Sequence, residues 1–350
     1  MHPFRNLLLI SVGRAESFEK DPTPAVWNLL FEMARHQTML AILYEGILRL
    51  PEHQRPPKEL MDKWKELTDL TAGIYRRHQE RIGQLETLLE KMGLRGCILK
   101  GTGLSRLYPI PERRLCGDID LWIDGTHKTI VKAFEEAGYP PYEILYQEAK
   151  VDVFDDTEVE IHFHPCKSYN PFRNALLQQF FNSNAPFDGT LTYPDAPFNA
   201  VFCMAHMYRH YLEGGIGMRH ILDYHYVLKD LRPQDRQQAM KTLKGLGMKK
   251  FAAAVMCAVQ FNFGLEDEYL LCPPDKKAGG RLVNDIIRMG NFGMLDKRNY
   301  GSEGESRWQR FRRKNHRVFS NFKHFPGEVI WSPFARLSQY VWRLFCGYLQ

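Results

Sequence analysis

Residues 117–123 read GDIDLWI, and two of them are acids set among Ile119, Leu121, Trp122 and Ile123. Side chains alternate across a strand, so Asp118 and Asp120 project from one face while Ile119 and Leu121 enter a core. Two carboxylates held that close repel and raise each other's pKa. A chain that places them in an apolar strand needs a compensating cation. Mg²⁺, or Mn²⁺ in its place, suits a site of few carboxylates completed by water and substrate phosphates. The fold must therefore contain a small sheet that opens onto a polar cleft.

The flanking sequence is helical. Residues 25–50 carry apolar residues at helical spacing until the proline-rich stretch 51–57 interrupts them. A longer helix follows, with Ile74, Ile82, Leu85, Leu88, Leu89 and Met92 on one face and Gly93 as its C-terminal cap. The period changes at GCILK, residues 96–100, which reads as a strand stopped by Gly101. After 118–123, Thr126 caps a helix ending near Gly138, and extended segments follow at 144–154 and 158–164. Helices then fill 172–183, 197–213, 218–230, 233–246 and 248–263. This pattern predicts an α+β fold in four parts. These are an N-terminal helical region (1–93), an α/β core (94–170), a C-terminal helical region (171–305) and a basic, aromatic tail (306–350).

In that core, Lys100-Gly101-Thr102 sits where a strand gives way to a helix, a place where backbone N–H groups approach an anion. Glu160, between Val159 and Ile161, is the best candidate for a third acid on a neighbouring strand. A glycine turn, an Asp-x-Asp strand and a later carboxylate suit nucleotidyl transfer, in which metal ions clamp the attacking and leaving oxygens.

The segments ILKGTGLSRLYP (98–109), RRLCGDIDLWI (113–123), VEIHFH (159–164) and AHMYRHYLEGGIGMRHILDY (205–224) resemble the DNA polymerase β-like nucleotidyltransferases. More narrowly, they resemble a bacterial family of uncharacterised nucleotidyltransferases. The resemblance implies a nucleoside triphosphate substrate and an acceptor it does not identify: a small molecule, a protein or an RNA end. It implies Asp118, Asp120 and Glu160 as metal ligands, with Glu160 also placed to activate the acceptor hydroxyl. Gly101, Thr102 and Gly117 would border the phosphates, and Lys100 and Arg114 would supply positive charge. Thr102 stands where the family pattern has glycine or serine.

Further candidates are His162, which shares a strand face with Glu160, and the spaced pairs His206/His210 and Arg219/Asp223 on successive helices. His162 is read as a hydrogen-bonding neighbour of the acids, and Arg219/Asp223 as an ion pair along one helix. The resemblance brings this H-x-x-x-H…R-x-x-x-D run to the cleft as possible lining. Two alternatives stand beside the transferase: a silent nucleotide-sensing or partner-binding scaffold, and a metal hydrolase built on His162, His206, His210 and Asp223.

The 350 residues include 47 Lys+Arg against 41 Asp+Glu, a net +6 too small to single out a nucleic-acid partner. The run 306–323 interleaves bases with aromatics. It suits RNA or weak contact with an anionic membrane surface, and is read here as an amphipathic helix with a wet basic face. Seven cysteines without a C-x-x-C pair, and an N-terminus lacking a leader or a membrane span, lead to the expectation of a cytoplasmic protein with reduced thiols.

Overall fold

A computed structural model describes residues 2–301 and 304–348. The chain begins with helices α1 (Pro3–Ser11), α2 (Pro24–His36), α3 (Leu40–Arg49) and α4 (Lys58–Met92). The α/β core follows: β1 (Gly96–Ile98), α5 (Lys100–Ser105), β2 (Ile119–Ile123), α6 (His127–Glu136), β3 (Glu148–Val151) and β4 (Val159–His162). Helix α7 (Pro171–Ser183) leads to the edge strand β5 (Leu191–Thr192). Then come α8 (Ala196–Glu213), α9 (Met218–Asp230), α10 (Pro233–Gly245), α11 (Lys249–Phe263) and α12 (Lys276–Met289). Helices α13 (Arg307–Phe319), α14 (Pro326–Val329) and α15 (Ser332–Phe345) close the chain. This is the α+β architecture that the periodicities predict.

Continuous periodicity over 25–50 resolves into two helices. Thr38 adopts φ 54° at the break. Its neighbour Gln37 is buried, donating from Nε2 to the Ile286 carbonyl (2.9 Å) and accepting the Met218 amide (2.7 Å). Docking against α9 and α12 thus overrides the local tendency to continue one helix. At the end of α4 the expected cap is present: Gly93 takes φ 66°, a left-handed conformation that costs glycine little.

The sheet runs β3-β4-β2-β1-β5. Strands β2 and β4 are parallel, with Asp120 directly opposite Glu160 and Trp122 opposite His162; β1 lies antiparallel to β2. Both faces of the sheet are covered. Ile119, Leu121, Ile123, Val159 and Ile161 pack with Leu85, Leu89 and Phe134 of α4 and α6. Trp122 turns the other way, with its ring 4.6 Å from that of Phe187 and 5.8 Å from that of Phe198. Asp120 shares this second face, toward the C-terminal helices. It escapes the apolar layer because a cavity opens there. Among the described residues, no helix is long and apolar enough to cross a membrane.

Candidate functional site

A cavity of about 960 Å³ lies between the sheet and helices α8, α9, α13 and α15. Lys100, Gly101, Arg114, Gly117, Asp118, Asp120, Glu160, His206, His210, Arg219 and Asp223 all line it. Two of the sequence-derived candidates do not. Thr102 is 1% exposed with its hydroxyl unpartnered, and His162 is fully buried beneath the wall.

Asp118 ends the loop before β2, and Asp120 is the second residue of the strand. The parallel register of β4 delivers Glu160 alongside Asp120. Ligand atoms of Asp120, Glu160 and His162 lie within 4.8 Å of one another. His162 donates from Nε2 to Asp120 Oδ1 at 2.8 Å, the neighbourly hydrogen bond anticipated for it. Lys100 also reaches Asp120 Oδ1, with its ammonium 2.6 Å away.

Electrostatics follow from this crowding. Burial alone would raise the Asp120 carboxyl, but Lys100 and His162 hold it well below the usual range. Lys100 moves upward: burial opposes its charge, and Asp120 and Asp118 outweigh that penalty. Repulsion from Asp120, then burial, raises Asp118. Glu160 is pushed up to about 7 by burial and by Asp120, Glu148 and Asp118. More carboxylates thus converge than the local cations neutralise.

The glycines beside the acids are there for space. Gly101 turns the chain with φ 39° and ψ −116°, and a Cβ there would sit 3.3 Å from the Asp118 carbonyl oxygen. Gly103, which the sequence reading passes over, is tighter still: its Cβ would fall 2.8 Å from the Ile98 carbonyl oxygen. The sequence K-G-T-G therefore lets α5 begin in contact with β1, next to the acids.

On the opposite wall, Arg114 and Asp223 form a two-pronged ion pair at 2.7 and 2.8 Å, and Tyr108 donates to the same carboxylate at 2.6 Å. This corrects the expected pairing along α9. Asp223 turns to Arg114 rather than Arg219, and Arg219 instead donates to the Leu115 carbonyl at 2.5 Å. Both members of the observed pair are 5% exposed in their side chains, so the bond fixes the loop before β2 onto α9. His206 and His210 meet through their Nε2 atoms at 2.9 Å. Burial depresses both, His210 to about 4, and keeps the rings neutral. Neither they nor Asp223 belongs to a metal-ligating trio: among the described residues the one such trio is Asp120, Glu160 and His162, and Asp118 stands beside it rather than within it. The hydrolase alternative lacks its donor set.

The acidic end fits a hard divalent cation. Its cavity-facing donors are carboxylate oxygens, the His162 Nε2 is already committed to Asp120, and the raised carboxyls are those a cation would relieve. Glu148 and Glu158, which the sequence reading did not single out, extend this end. Lys167, Arg209, Glu213, Lys314 and Arg336 form the other. Apart from Arg209 and Glu213, one turn apart on α8, they come from segments far apart in sequence.

No curated protein and no solved structure matches the chain. A family model described as uncharacterised nucleotidyltransferase matches residues 23–264, a span that takes in the Gly101 turn, all three acids and the α8–α9 run to Asp223. The chain belongs to that family and is an enzyme of the nucleotidyltransferase type.

Proposed function

We propose that the protein transfers a nucleoside monophosphate from a nucleoside triphosphate to a hydroxyl group, using Asp118, Asp120 and Glu160 to hold Mg²⁺ or Mn²⁺. The observation that carries this reading is the direct pairing of Asp120 with Glu160 across parallel strands, beside the Gly101 turn and open to a large cavity. When bound, the cation would neutralise the acids and stabilise charge on the triphosphate. Gly101 borders the cavity, where its turn would let backbone N–H groups approach the phosphates, and Lys100 would add an ammonium at the same edge. Glu160 accepts the acceptor's hydroxyl proton. The acceptor oxygen bonds to the α-phosphorus while the bond to the bridging oxygen breaks, and pyrophosphate leaves with that electron pair.

A second reading draws on one contact. The Lys100 ammonium lies 2.6 Å from Asp120, where it would compete with a metal ion, and this suits a scaffold that binds nucleotides without turnover. Calorimetry with each of the four nucleoside triphosphates tests the metal site. Binding should require Mg²⁺ and disappear in the Asp118→Asn/Asp120→Asn variant while its circular dichroism is retained. Unchanged binding in that variant overturns the site. Transfer of α-phosphate label from the triphosphate to any acceptor in a cell extract separates enzyme from sensor.

A further inference from the structure

The cavity has two ends of opposite charge. Asp118, Asp120, Glu160, Glu148 and Glu158 gather at one. At the other, Lys167 follows β4, Arg209 projects from α8, Lys314 from α13 and Arg336 from α15, and the one carboxylate among them is Glu213. Glu213 accepts from Arg209 at 2.7 Å and from Tyr169 at 2.6 Å, and Arg336 stands 3.6 Å from it. Two guanidiniums thus share a single acid, leaving positive charge in excess.

Lys167 makes the excess acute. It is 9% exposed, lines the cavity, and its ammonium has no hydrogen bond and no carboxylate within 4 Å among the described residues. Only its backbone carbonyl is engaged, by Arg209 and Cys166. Lys314, which is exposed, likewise has no carboxylate within 4 Å among the described residues. An unpaired buried ammonium is costly, and burial and Arg209 depress Lys167 to about 7. An anion seated there removes the penalty and meets guanidiniums suited to forked contact with phosphate or carboxylate.

The basic residues are a different set from the candidate metal ligands, on the same cavity. The charged groups acting most strongly on Lys167 are Arg209 and Glu213 of the basic end, followed by Glu148 of the acidic end. A volume of about 960 Å³ is at the top of the range of roughly 300–1,000 Å³ for ligand pockets. Lys314 and Arg336 also lie beyond the family-matched span, which ends at residue 264. The end of the cavity away from the acids is thus completed by sequence outside the shared core.

We infer that the acceptor is an anionic hydroxyl compound, a phosphate monoester or a carboxylate, whose charged group binds between Lys167, Arg209, Lys314 and Arg336. This rests on the transferase reading, and the test keeps the two apart. Inorganic phosphate and acetate are titrated separately into the full chain without metal, and Mg²⁺ with each nucleoside triphosphate in parallel. Phosphate or acetate should bind, whichever matches the acceptor's charged group. Lys167→Met should weaken that binding about tenfold and the surface variant Lys314→Gln about threefold, with triphosphate binding kept within twofold. The Asp118→Asn/Asp120→Asn variant should show the reverse pattern. Neither anion binding, or binding indifferent to both lysine variants, overturns the inference. So does loss of triphosphate binding in Lys167→Met, which would make the basic end the triphosphate site. Failure of the triphosphate to bind the unsubstituted protein counts instead against the transferase reading, and the anion titration still reports on the basic end.

Discussion

Glu160 shows how one residue's surroundings set its chemistry. Its carboxyl titrates near 7 in the folded chain against an ordinary 4.5, so between those values the folded state binds a proton that the unfolded state has released. Stability from this group is present in full below about 4.5, is lost as pH rises toward 7, and stays lost above. Glu160→Gln removes the slope. Without metal, its melting temperature should match that of the unsubstituted protein near pH 5 and exceed it at pH 8, by on the order of 2–3 kcal/mol of stability. Saturating Mg²⁺ should shrink the gap by stabilising the charged carboxylate. A gap independent of pH would show that Glu160 does not carry the shifted titration. The sequence marks this residue through its alternation with Val159 and Ile161. It does not reveal the proton, which depends on Asp120, Glu148 and Asp118 arriving from other segments.

At the level of elements, most helices announce themselves. Asp195 caps α8 by accepting the Phe198 amide at 2.8 Å, Asn170 caps α7, and Ser306 with Gln309 forms a reciprocal box at the start of α13. What joins elements is less visible. The Arg114–Asp223 pair, with Tyr108, ties the loop before β2 to α9 across 109 residues of sequence. Asp223→Ala leaves a guanidinium buried and unpaired and should cost about 3–5 kcal/mol in urea unfolding. Replacing both partners, as Arg114→Met/Asp223→Leu, should recover most of that loss, because the expense lies in the stranded charge. Equal losses in the single and double variants would show that the pair is not what joins these elements.

Across the whole molecule, the C-terminal helices are part of the site's architecture. Glu328, 3% exposed on α14, accepts from the Ser168 hydroxyl at 2.7 Å and from the amides of Tyr169 and Asn170. It thereby anchors the segment that carries Lys314 and Arg336 onto the loop that carries Lys167. Glu328→Ala strands these donors at a cost of roughly 2–4 kcal/mol. Trypsin should then cut within 307–323 several-fold faster while cleavage in the sheet region stays slow. An unchanged digestion pattern would mean that the C-terminal helices are held by other contacts.

The sequence by itself determined what depends on near neighbours: the periods of helices and strands, their caps, the glycine turn and the alternation that sets acids against an apolar core. Tertiary structure decided how strands align and which charges meet. The 25–50 run breaks because Gln37 bonds to distant backbone, and Asp120 faces Glu160 because β2 and β4 run parallel in that register. The basic end draws on residues 167, 209, 314 and 336. Local pattern reports the free energy of single elements, whereas these arrangements depend on burial and charge shared between segments that only folding brings together.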